Sequence, residues 1–413
     1  MTVRLLALDY RRLPPALRAD AILPEPETPT LLRQLARGPA VAEVAVVATC
    51  HRVEIYAITT APQEWESAVW ALLSRPAGAD PWRRLAGAEA VRHLSRLACG
   101  LESSVVGEAQ ILGQVRRAWL EASAEGTVGP IFNRLFRVAI SAGKRARALT
   151  AGQERPTSLA HVAVRLAART MPLGGSRALV VGAGAMARSA VESFLAAGVT
   201  QIVVAARDSH RAATLDPRVT VASLESLLDL VDGVEVALTA TTAPGYRLDV
   251  SMVRRAMAGR GRLLTLVDMA VPPDIDPHVR DIVGVTLIDA DMIAAEAPQV
   301  TALPAETLDR IEGIAAEAAG AFTRWERARA VVPTIVGLRR RAEEIRRAEL
   351  ARALRRLPDL DDRERAVVAA LTGAIVSRLF HAPTVRLAAE AARGDGETLR
   401  RALETLFALE RER

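Results

Sequence analysis

The stretch GAGAMA, residues 182–187, is the sequence feature that most restricts how this chain can fold. It follows an apolar, strand-like run, RALVV, and opens a helical pattern, AMARSAVESFLAAG. In a G-x-G-x-x-G/A turn, the first glycine makes a tight turn, the second lets a pyrophosphate approach, and the last small residue allows close packing. An ordinary strand–helix turn is the alternative. The dinucleotide reading assigns cofactor binding to Gly182, Ala183, Gly184, Ala185, Met186 and Ala187.

The residues after this turn keep alternating between strand and helix patterns. Apolar runs recur at TQIVVAAR, VEVALTAT, RLLTLVDMA and VTLIDAD, with helix-sized segments between them. Such alternation is typical of a parallel, doubly wound sheet with helices on both faces. The pattern therefore predicts a Rossmann-type nucleotide-binding domain.

Arg207 bears on which dinucleotide binds. It ends the run QIVVAAR, where NAD-binding domains usually carry Asp or Glu for the ribose 2′-hydroxyl. Arginine at this point favours the 2′-phosphate of NADP, so Arg207 joins the predicted cofactor-binding residues. Asp208 follows at once, and its charge would oppose the phosphate if it pointed inward. The sequence favours NADPH and leaves NAD open.

The regions on either side differ in pattern. The first ~150 residues mix strand-like runs with helices, whereas the chain beyond residue 304 reads as helix throughout, interrupted at Pro333. The expected fold class is α/β, with an N-terminal α/β catalytic domain (1–155), the Rossmann-type domain (156–303), and a long connecting helix with an all-α C-terminal domain (304–413). The apolar stripe of those last helices needs a partner, and self-association is the simplest one.

Composition narrows the classes of function. The chain of 413 residues has a net charge of +6, which permits an acidic partner such as nucleic acid but also fits an Arg-rich genome. Lys144 is the only lysine, which excludes a P-loop and leaves one candidate for Schiff-base chemistry. With aromatic residues at 3%, a nucleic acid would be held by its phosphates and shape. No Cys/His spacing indicates a metal site.

The location of the protein is inferred from the same survey. Two cysteines cannot form a disulfide framework, and they suit a reducing cytoplasm. The sequence has no uninterrupted apolar stretch of ~18 residues and no signal-peptide pattern. We therefore expect a cytoplasmic protein with no membrane partner.

Cys50 lies in the stretch ATCHRVEIYA, at the end of an apolar run, and is followed by His51 and Arg52. A thiolate is a strong nucleophile when its pKa is lowered, and a nearby arginine is one way to lower it. A buried apolar cysteine at a strand end is the alternative. The stretch alone does not decide between the two.

A second informative segment is RHLSRLACGLESSVVGEAQILGQVRRAW, residues 92–119. Its polar side chains, set among apolar residues, suggest a pocket for a small polar ligand. A capped helix start with a solvated face is the plainer alternative, and spacing alone favours it. His93 precedes this group; a helical histidine among apolar residues is more often structural. Cys99 is expected to be a small core residue.

Taken together, these motifs resemble the glutamyl-tRNA reductase family. TCHRVEIY is similar to that family's TCNRxEIY, and GLESSVVGEAQILGQV to its GLDSxVxGExQILGQV. GKRAR (143–147), the GAGAMA turn, DMAVPPDIDP (268–277) and RLFHAPTVRL have counterparts in the same order. The matches cover nearly the whole chain.

The resemblance implies a three-domain enzyme that is a homodimer through its C-terminal helices. It implies NADPH-dependent reduction of glutamyl-tRNA to glutamate-1-semialdehyde, the first step of tetrapyrrole (5-aminolevulinate) biosynthesis, through a thioester on Cys50. His93 matches a histidine important to activity in the family, with acid–base help or orientation of Cys50 as its possible roles. A downstream glutamate-1-semialdehyde aminomutase is a possible partner. The implied substrate-binding residues are Thr49, His51, Arg52, Ser103, Glu108, Ala109, Gln110 and Gln114, with Arg52 a candidate for the substrate carboxylate.

The chain departs from the family pattern at four places. His51 stands where the family usually has Asn, Ala109 replaces Pro, and Pro273 replaces Arg. The segment around Asp9–Arg11 lacks the family's Asn/Ser-His-x-x-Pro stretch. This last departure motivates an alternative function, a non-catalytic paralogue that binds glutamyl-tRNA or a partner enzyme. A third hypothesis is an NADP-dependent dehydrogenase that forms a cysteine thioester with a free small molecule.

Overall fold

The structure of the protein is a computed structural model. It describes residues 2–9, 28–38, 40–49, 52–73, 82–103, 105, 108–150, 158–241 and 245–409. The chain divides into two compact units, Met1–Ala318 and Ala319–Arg413. The first unit contains two separate sheets, and the described part of the second consists of helices joined by short turns.

The first sheet is antiparallel, with the strand order β2-β3-β1-β4. Its strands are β1 (Thr2–Asp9), β2 (Val41–Ala48), β3 (Arg52–Thr59) and β4 (Arg83–Ala86). All eight residues of β3 are buried, so both faces of this strand are covered. The helices of this region are α1 (Thr28–Ala36), α2 (Pro62–Leu72), α3 (Ala88–Ala98), α4 (Ala109–Ala124) and α5 (Pro130–Thr150). Any polar side chain on β3 must therefore find its partners inside the protein.

The start of α5 is tied to this sheet by Glu43. The carboxylate of this buried β2 residue accepts hydrogen bonds from the backbone N–H groups of Ile131 (3.0 Å) and Phe132 (2.7 Å). These donors belong to the first turn of the helix and have no partner within it. A side chain at Gly129 would meet the same carboxylate, because an added Cβ would lie 2.6 Å from Glu43 Oε1. The contact fixes the position of the first turn of α5 relative to β2.

The second sheet is parallel, with the strand order β10-β9-β8-β5-β6-β7. Its strands are β5 (Arg177–Val181), β6 (Gln201–Ala205), β7 (Thr220–Ala222), β8 (Val236–Thr239), β9 (Leu264–Asp268) and β10 (Val285–Ile288). The intervening helices are α6 (Leu159–Thr170), α7 (Ala185–Ala196), α8 (Ser209–Ala213), α9 (Leu227–Asp232), α10 (Val250–Met257) and α11 (Ala290–Val300). Separate apolar cores lie on the two faces, as expected for a doubly wound sheet. The predicted Rossmann-type topology is confirmed.

The C-terminal region consists of long helices, as the sequence predicts. They are α12 (Ala305–Ala330), α13 (Val332–Arg356), α14 (Asp362–Arg393) and α15 (Gly396–Leu406). Pro333 lies in the first turn of α13, where its missing N–H and fixed φ are tolerated. A capping box at Asp361 starts α14, and Gly394, with φ 114°, ends it.

The α14 helix exposes a row of apolar side chains. Val367, Leu371, Ile375 and Leu379 lie four residues apart and are 61%, 59%, 55% and 65% exposed. By length and composition alone α14 could cross a membrane, although the sequence has no uninterrupted apolar stretch of that length. Such a helix equally fits one whose apolar face packs against another chain.

Candidate active site

The first predicted substrate segment lies where β2 ends and β3 begins. The Thr49 backbone N–H donates to the carbonyl of Arg52 (2.9 Å), and the Thr49 hydroxyl accepts from the Arg52 backbone N–H (3.2 Å). Cys50 and His51 stand between these two residues in the chain and lie outside the described residues. The roles given to them from the sequence stay predictions.

Glu54 is the centre of a buried polar cluster on β3. Its carboxylate accepts hydrogen bonds from the Arg52 guanidinium (3.1 Å), the Tyr56 hydroxyl (2.6 Å) and His93 Nε2 (2.9 Å). Arg52, Glu54 and Tyr56 alternate along the strand, so their side chains share one face. His93 reaches this face from α3. The structure thus brings together Arg52 and His93, two of the predicted site residues, through a residue that was not predicted.

The charge of Glu54 is set by these neighbours. Burial would raise the pKa of this carboxyl, but His93, Arg52 and the Tyr56 hydroxyl together lower it to about 2. Burial and the adjacent carboxylate raise the pKa of Tyr56 well above its usual value, so the phenol stays protonated. At neutral pH Glu54 is ionised and only accepts hydrogen bonds.

The ionised carboxylate determines the hydrogen positions on His93. Since Glu54 can only accept, Nε2 of His93 must carry a hydrogen. In a neutral imidazole the lone pair is then on Nδ1. Nδ1 is buried and has no hydrogen-bond partner among the residues that the structure describes. His93 is therefore held with one ring nitrogen anchored and the other available.

The second predicted segment adjoins this cluster at its start. The other terminal nitrogen of Arg52 donates to the carbonyl of Glu102, next to the half-buried Ser103. Glu108 precedes α4, and its backbone N–H donates to Val105 (3.1 Å).

The remaining substrate residues predicted in this segment lie in the first turns of α4. Gln110 and Gln114 are half-buried, one turn apart, and no hydrogen bond within the described ranges joins either of them to the Glu54 cluster. The side chain of Ala109 lies outside the described residues. The structure thus leaves these predictions without a contact that links them to Arg52 or His93.

Cys99 is a core residue, as predicted. It packs with Ala142, Ala146, Ile311 and Ala315 in an apolar cluster. Burial, with a contribution from Glu312, raises the pKa of its thiol to about 12. A thiol with this pKa is not a nucleophile at neutral pH. Both its burial in an apolar cluster and its raised pKa argue against a role for Cys99 as a nucleophile.

The GAGAMA turn has the geometry that a dinucleotide needs. It joins β5 to α7, and Gly182 has a φ of 121°, which favours glycine. A Cβ added at Gly182 would lie 2.6 Å from the carbonyl oxygen of Ala240, whereas one at Gly184 would meet no described atom within 4 Å. Ala187 is fully buried, as close helix–sheet packing requires. These residues fit a pyrophosphate at the start of α7, where first-turn N–H groups are free to donate.

These two glycines give a matched pair of variants. Gly182→Ala is expected to lower the free energy of unfolding by about 1–3 kcal/mol, because of its φ and the contact with Ala240. Gly184→Ala is expected to change it by less than about 0.5 kcal/mol and yet weaken nicotinamide-nucleotide binding by roughly tenfold or more, because its Cβ enters the space for the phosphates. Thermal unfolding without nucleotide and calorimetric titration with it measure the two effects. Equal loss of stability in both variants would contradict this assignment.

Arg207 lies beyond the end of β6, and its side chain is exposed. Asp208 does not point freely toward a phosphate: its carboxylate caps α8 by accepting from the backbone N–H of Arg211 (2.9 Å). The sequence could not decide the direction of this side chain. The carboxylate is committed to its own helix, and Arg207 remains exposed beside it.

The DMAVPPDIDP motif forms an ordered loop after β9. Its buried first residue, Asp268, accepts from the Thr239 hydroxyl (2.9 Å) and from the backbone N–H groups of Ala270 and Ile275. Burial raises the pKa of Asp268 to about 6 despite these bonds. Asp274 in turn accepts from the Thr241 hydroxyl and backbone. The loop lies at the carboxyl end of the parallel sheet, where ligands of this fold bind.

Sequence reasoning missed the role of Glu54. The signal was present in RVEIY: three polar-headed side chains, Arg52, Glu54 and Tyr56, occur at every second position of an otherwise apolar strand. Period-two placement puts them on one side of the strand. A buried strand with such a face predicts a mutually bonded cluster.

Three protein-family models together match most of the chain. Residues 6–150 match the model for the glutamyl-tRNAGlu reductase N-terminal domain, and residues 310–409 match the model for its dimerisation domain. Residues 165–295 match the shikimate/quinate 5-dehydrogenase model, a pyridine-nucleotide-binding domain.

Individual relatives match this chain over nearly its full length. The glutamyl-tRNA reductase of Frankia casuarinae is 34% identical, covering 100% of this chain and 97% of that one. That of Roseiflexus sp. (strain RS-1) is 38% identical, covering 96% and 95%. The solved glutamyl-tRNA reductase of Methanopyrus kandleri is 28% identical with a TM-score of 0.50, covering 97% of this chain and 98% of that one. The chain belongs to the glutamyl-tRNA reductase family.

Proposed function

We propose that this protein reduces glutamyl-tRNA to glutamate-1-semialdehyde through a thioester on Cys50, the first step of tetrapyrrole biosynthesis. The observation that supports this most directly is the buried Arg52–Glu54–His93 cluster, at the start of the strand that follows Cys50. It supplies a fixed cation, two residues after Cys50 in the chain, and an oriented imidazole, which are groups that can assist a cysteine nucleophile.

In the first step the Cys50 thiolate attacks the carbonyl carbon of the glutamyl ester. A carbon–sulfur bond forms, and the ribose oxygen of tRNA leaves and takes up a proton. In this proposal Nδ1 of His93 accepts the thiol proton and returns it to that oxygen, which is supported by Nε2 being bound to Glu54 while Nδ1 has no partner among the described residues. The positive charge of Arg52 favours the thiolate form of Cys50.

A nicotinamide cofactor, when bound, would supply a hydride to the carbonyl carbon of this thioester. The carbon–sulfur bond then breaks, which releases the aldehyde and regenerates the Cys50 thiolate. The turn at Gly182–Ala187 would hold the pyrophosphate of that cofactor. A thioester is activated enough for this reduction, whereas a free carboxylate is not, which is why the covalent step comes first.

We further propose that the cofactor is NADPH rather than NADH. Arg207 is exposed at the end of β6, and Asp208 is engaged as a helix cap. Arg207→Ser is expected to raise the KM for NADPH by roughly tenfold or more, through loss of a charge-assisted contact with the 2′-phosphate. The KM for NADH should be unchanged. Steady-state kinetics with both nucleotides measure the contrast, and a parallel rise for NADH would contradict it.

The substrate's own carboxylate and amino group are assigned to the two predicted segments. Arg52 spends two of its five N–H donors on Glu54 and the Glu102 carbonyl, so it retains donors for a carboxylate. The other proposed contacts come from Thr49, His51, Ser103, Glu108, Ala109, Gln110 and Gln114.

We also propose a cytoplasmic homodimer joined through the C-terminal helices. The exposed apolar row on α14 lies within the region that matches the dimerisation domain. Light scattering on the purified full-length protein tests this assembly. The product is a reactive amino aldehyde, which makes direct transfer to a glutamate-1-semialdehyde aminomutase a reasonable partnership.

The test of the reaction uses the full-length protein, glutamyl-tRNA and NADPH. Without nucleotide, intact-protein and peptide mass spectrometry should find one glutamyl adduct, on Cys50. With nucleotide, the adduct should disappear and the semialdehyde accumulate. A protein that binds charged tRNA without acylation or reduction would instead be the non-catalytic paralogue. Turnover unaffected by ribonuclease would indicate a dehydrogenase of a free small molecule.

A further inference from the structure

The α5 helix carries an unusual balance of charge. Among its 21 residues, PIFNRLFRVAISAGKRARALT, there are five basic side chains and no acidic one. The preceding helix, α4, adds Arg116 and Arg117 against a single carboxylate, Glu121. The whole chain has a net charge of only +6, so this pair of helices concentrates positive charge.

Three of the α5 cations lie on one exposed face. At 100° per residue, Arg134, Arg137 and Lys144 fall within an arc of roughly 80°, and the row from Arg134 to Lys144 is ~15 Å long. All three side chains are exposed, and so is that of Arg116 on the adjacent helix α4. These four cations, Arg116, Arg134, Arg137 and Lys144, are called the row below. Arg145, just beside the row, pairs with Glu317 (2.8 Å).

The cations of the row itself, unlike Arg145, have no carboxylate partner among the described residues. Within the described ranges, no carboxylate forms an ion pair with Arg116, Arg134 or Lys144. Arg137 is held over the ring of Trp119, 5.8 Å from its centroid, and Trp119 is fixed by a hydrogen bond to Asn133 (3.0 Å). The row is therefore ordered at its centre while its charges face solvent.

One end of the row adjoins the predicted substrate segment. A Cβ added at Gly143 would lie 2.6 Å from Leu112 Cδ1, which shows how closely α5 approaches α4 at this level. Leu112 lies between Gln110 and Gln114, so the turn of α5 that contains Gly143 and Lys144 packs against the first turns of α4. From there the row leads away from the site toward Arg134.

From this geometry we propose that the row Arg116, Arg134, Arg137 and Lys144 binds the phosphate backbone of the acceptor arm of tRNA. The proposal rests on the proposed function and extends it to the RNA part of the substrate. A helix row ~15 Å long meets several successive phosphates of one strand, and cations without partners release counterions when they do so. With the row leading to the substrate segment, the esterified 3′ end is directed into the site.

The first experiment compares two triple variants of the full-length protein that lose the same charge. Arg116→Gln/Arg134→Gln/Lys144→Gln should bind uncharged tRNA at least about tenfold more weakly, and its plot of log affinity against log salt should be shallower by about 2–3. The control, Arg165→Gln/Arg254→Gln/Arg255→Gln, removes three exposed arginines from the nucleotide-binding domain. It should retain wild-type affinity and salt dependence. Equal losses in the two variants would overturn the proposal.

The second experiment needs no variant. Because Lys144 is the only lysine, an acetylating amine reagent modifies Lys144 and the α-amino group alone. Saturating tRNA should protect Lys144 several-fold, as measured by peptide mass spectrometry, while the α-amino group reacts as before. Full reactivity of Lys144 in the complex would overturn the proposal. If the wild-type protein binds tRNA in this way but reduces no glutamyl-tRNA, the proposed function fails and the binding surface stands. If it reduces glutamyl-tRNA but tRNA does not protect Lys144, the proposed function stands and the binding surface fails.

Discussion

Cys50→Ser is expected to abolish both the glutamyl adduct and the reduction of glutamyl-tRNA, with a fall in turnover of roughly four orders of magnitude or more. A serine hydroxyl is almost wholly un-ionised at neutral pH, whereas a thiol forms a thiolate much more readily, and a nearby cation such as Arg52 is expected to favour it. An oxygen ester on serine would also be a poorer hydride acceptor than a thioester. Peptide mass spectrometry without nucleotide and single-turnover assays with NADPH measure the two losses separately.

Cys99→Ser is the matched control for this experiment. It makes the same atom-for-atom change at the other cysteine, whose thiol has its pKa raised to about 12 by burial in an apolar cluster. It should reduce thermal stability, because a hydroxyl replaces a thiol in the core, and leave the Cys50 adduct in place. An adduct that persists in Cys50→Ser, or disappears only in Cys99→Ser, would contradict the proposed nucleophile.

The nucleotide-binding domain could be predicted because its determinants are local in sequence. GAGAMA, the strand before it and the helix after it occupy one continuous stretch, and their order alone specifies the turn. The backbone conformation at Gly182 follows from that turn. In contrast, the direction of the Asp208 side chain depends on which nearby N–H group its carboxylate accepts from. The hydrophobic periodicity of the sequence does not reveal that choice.

The Glu54 cluster shows what the sequence could not provide. Arg52 and Tyr56 are near Glu54 in the chain, but His93 is 39 residues away, on a helix that packs against the sheet. A buried carboxylate predicts that partners exist without naming them. His93 and Arg52 entered the predicted site through the resemblance to a family, and the position of α3 against the sheet explains how both side chains reach Glu54.

Glu54→Gln is expected to combine a large loss of activity with a loss of stability. The amide no longer requires a hydrogen on Nε2 of His93, so the lone pair is no longer confined to Nδ1 and proton transfer becomes inefficient. We expect turnover to fall by roughly two to three orders of magnitude, the usual contribution of a positioned acid–base group. Nitrogen NMR of the imidazole should show hydrogen on Nε2 in the wild-type protein and a tautomer mixture in the variant. Tyr56→Phe, which removes one donor and keeps the carboxylate, should preserve the wild-type tautomer.

The stability loss has a defined dependence on pH. Glu54 has an ordinary pKa of 4.5 and a pKa of about 2 in the folded protein. A carboxyl with a lowered folded-state pKa contributes stability that is fully present above pH 4.5 and is lost as the pH falls toward 2. At neutral pH the variant leaves the buried Arg52 without its counter-charge, which costs about 3–5 kcal/mol. The free energies of unfolding in urea should therefore differ most near pH 7 and converge as the pH approaches 2. Protonation removes from the wild-type protein the same charge that the substitution removes. A constant difference across this range would show that Glu54 is not the ionised centre of the cluster.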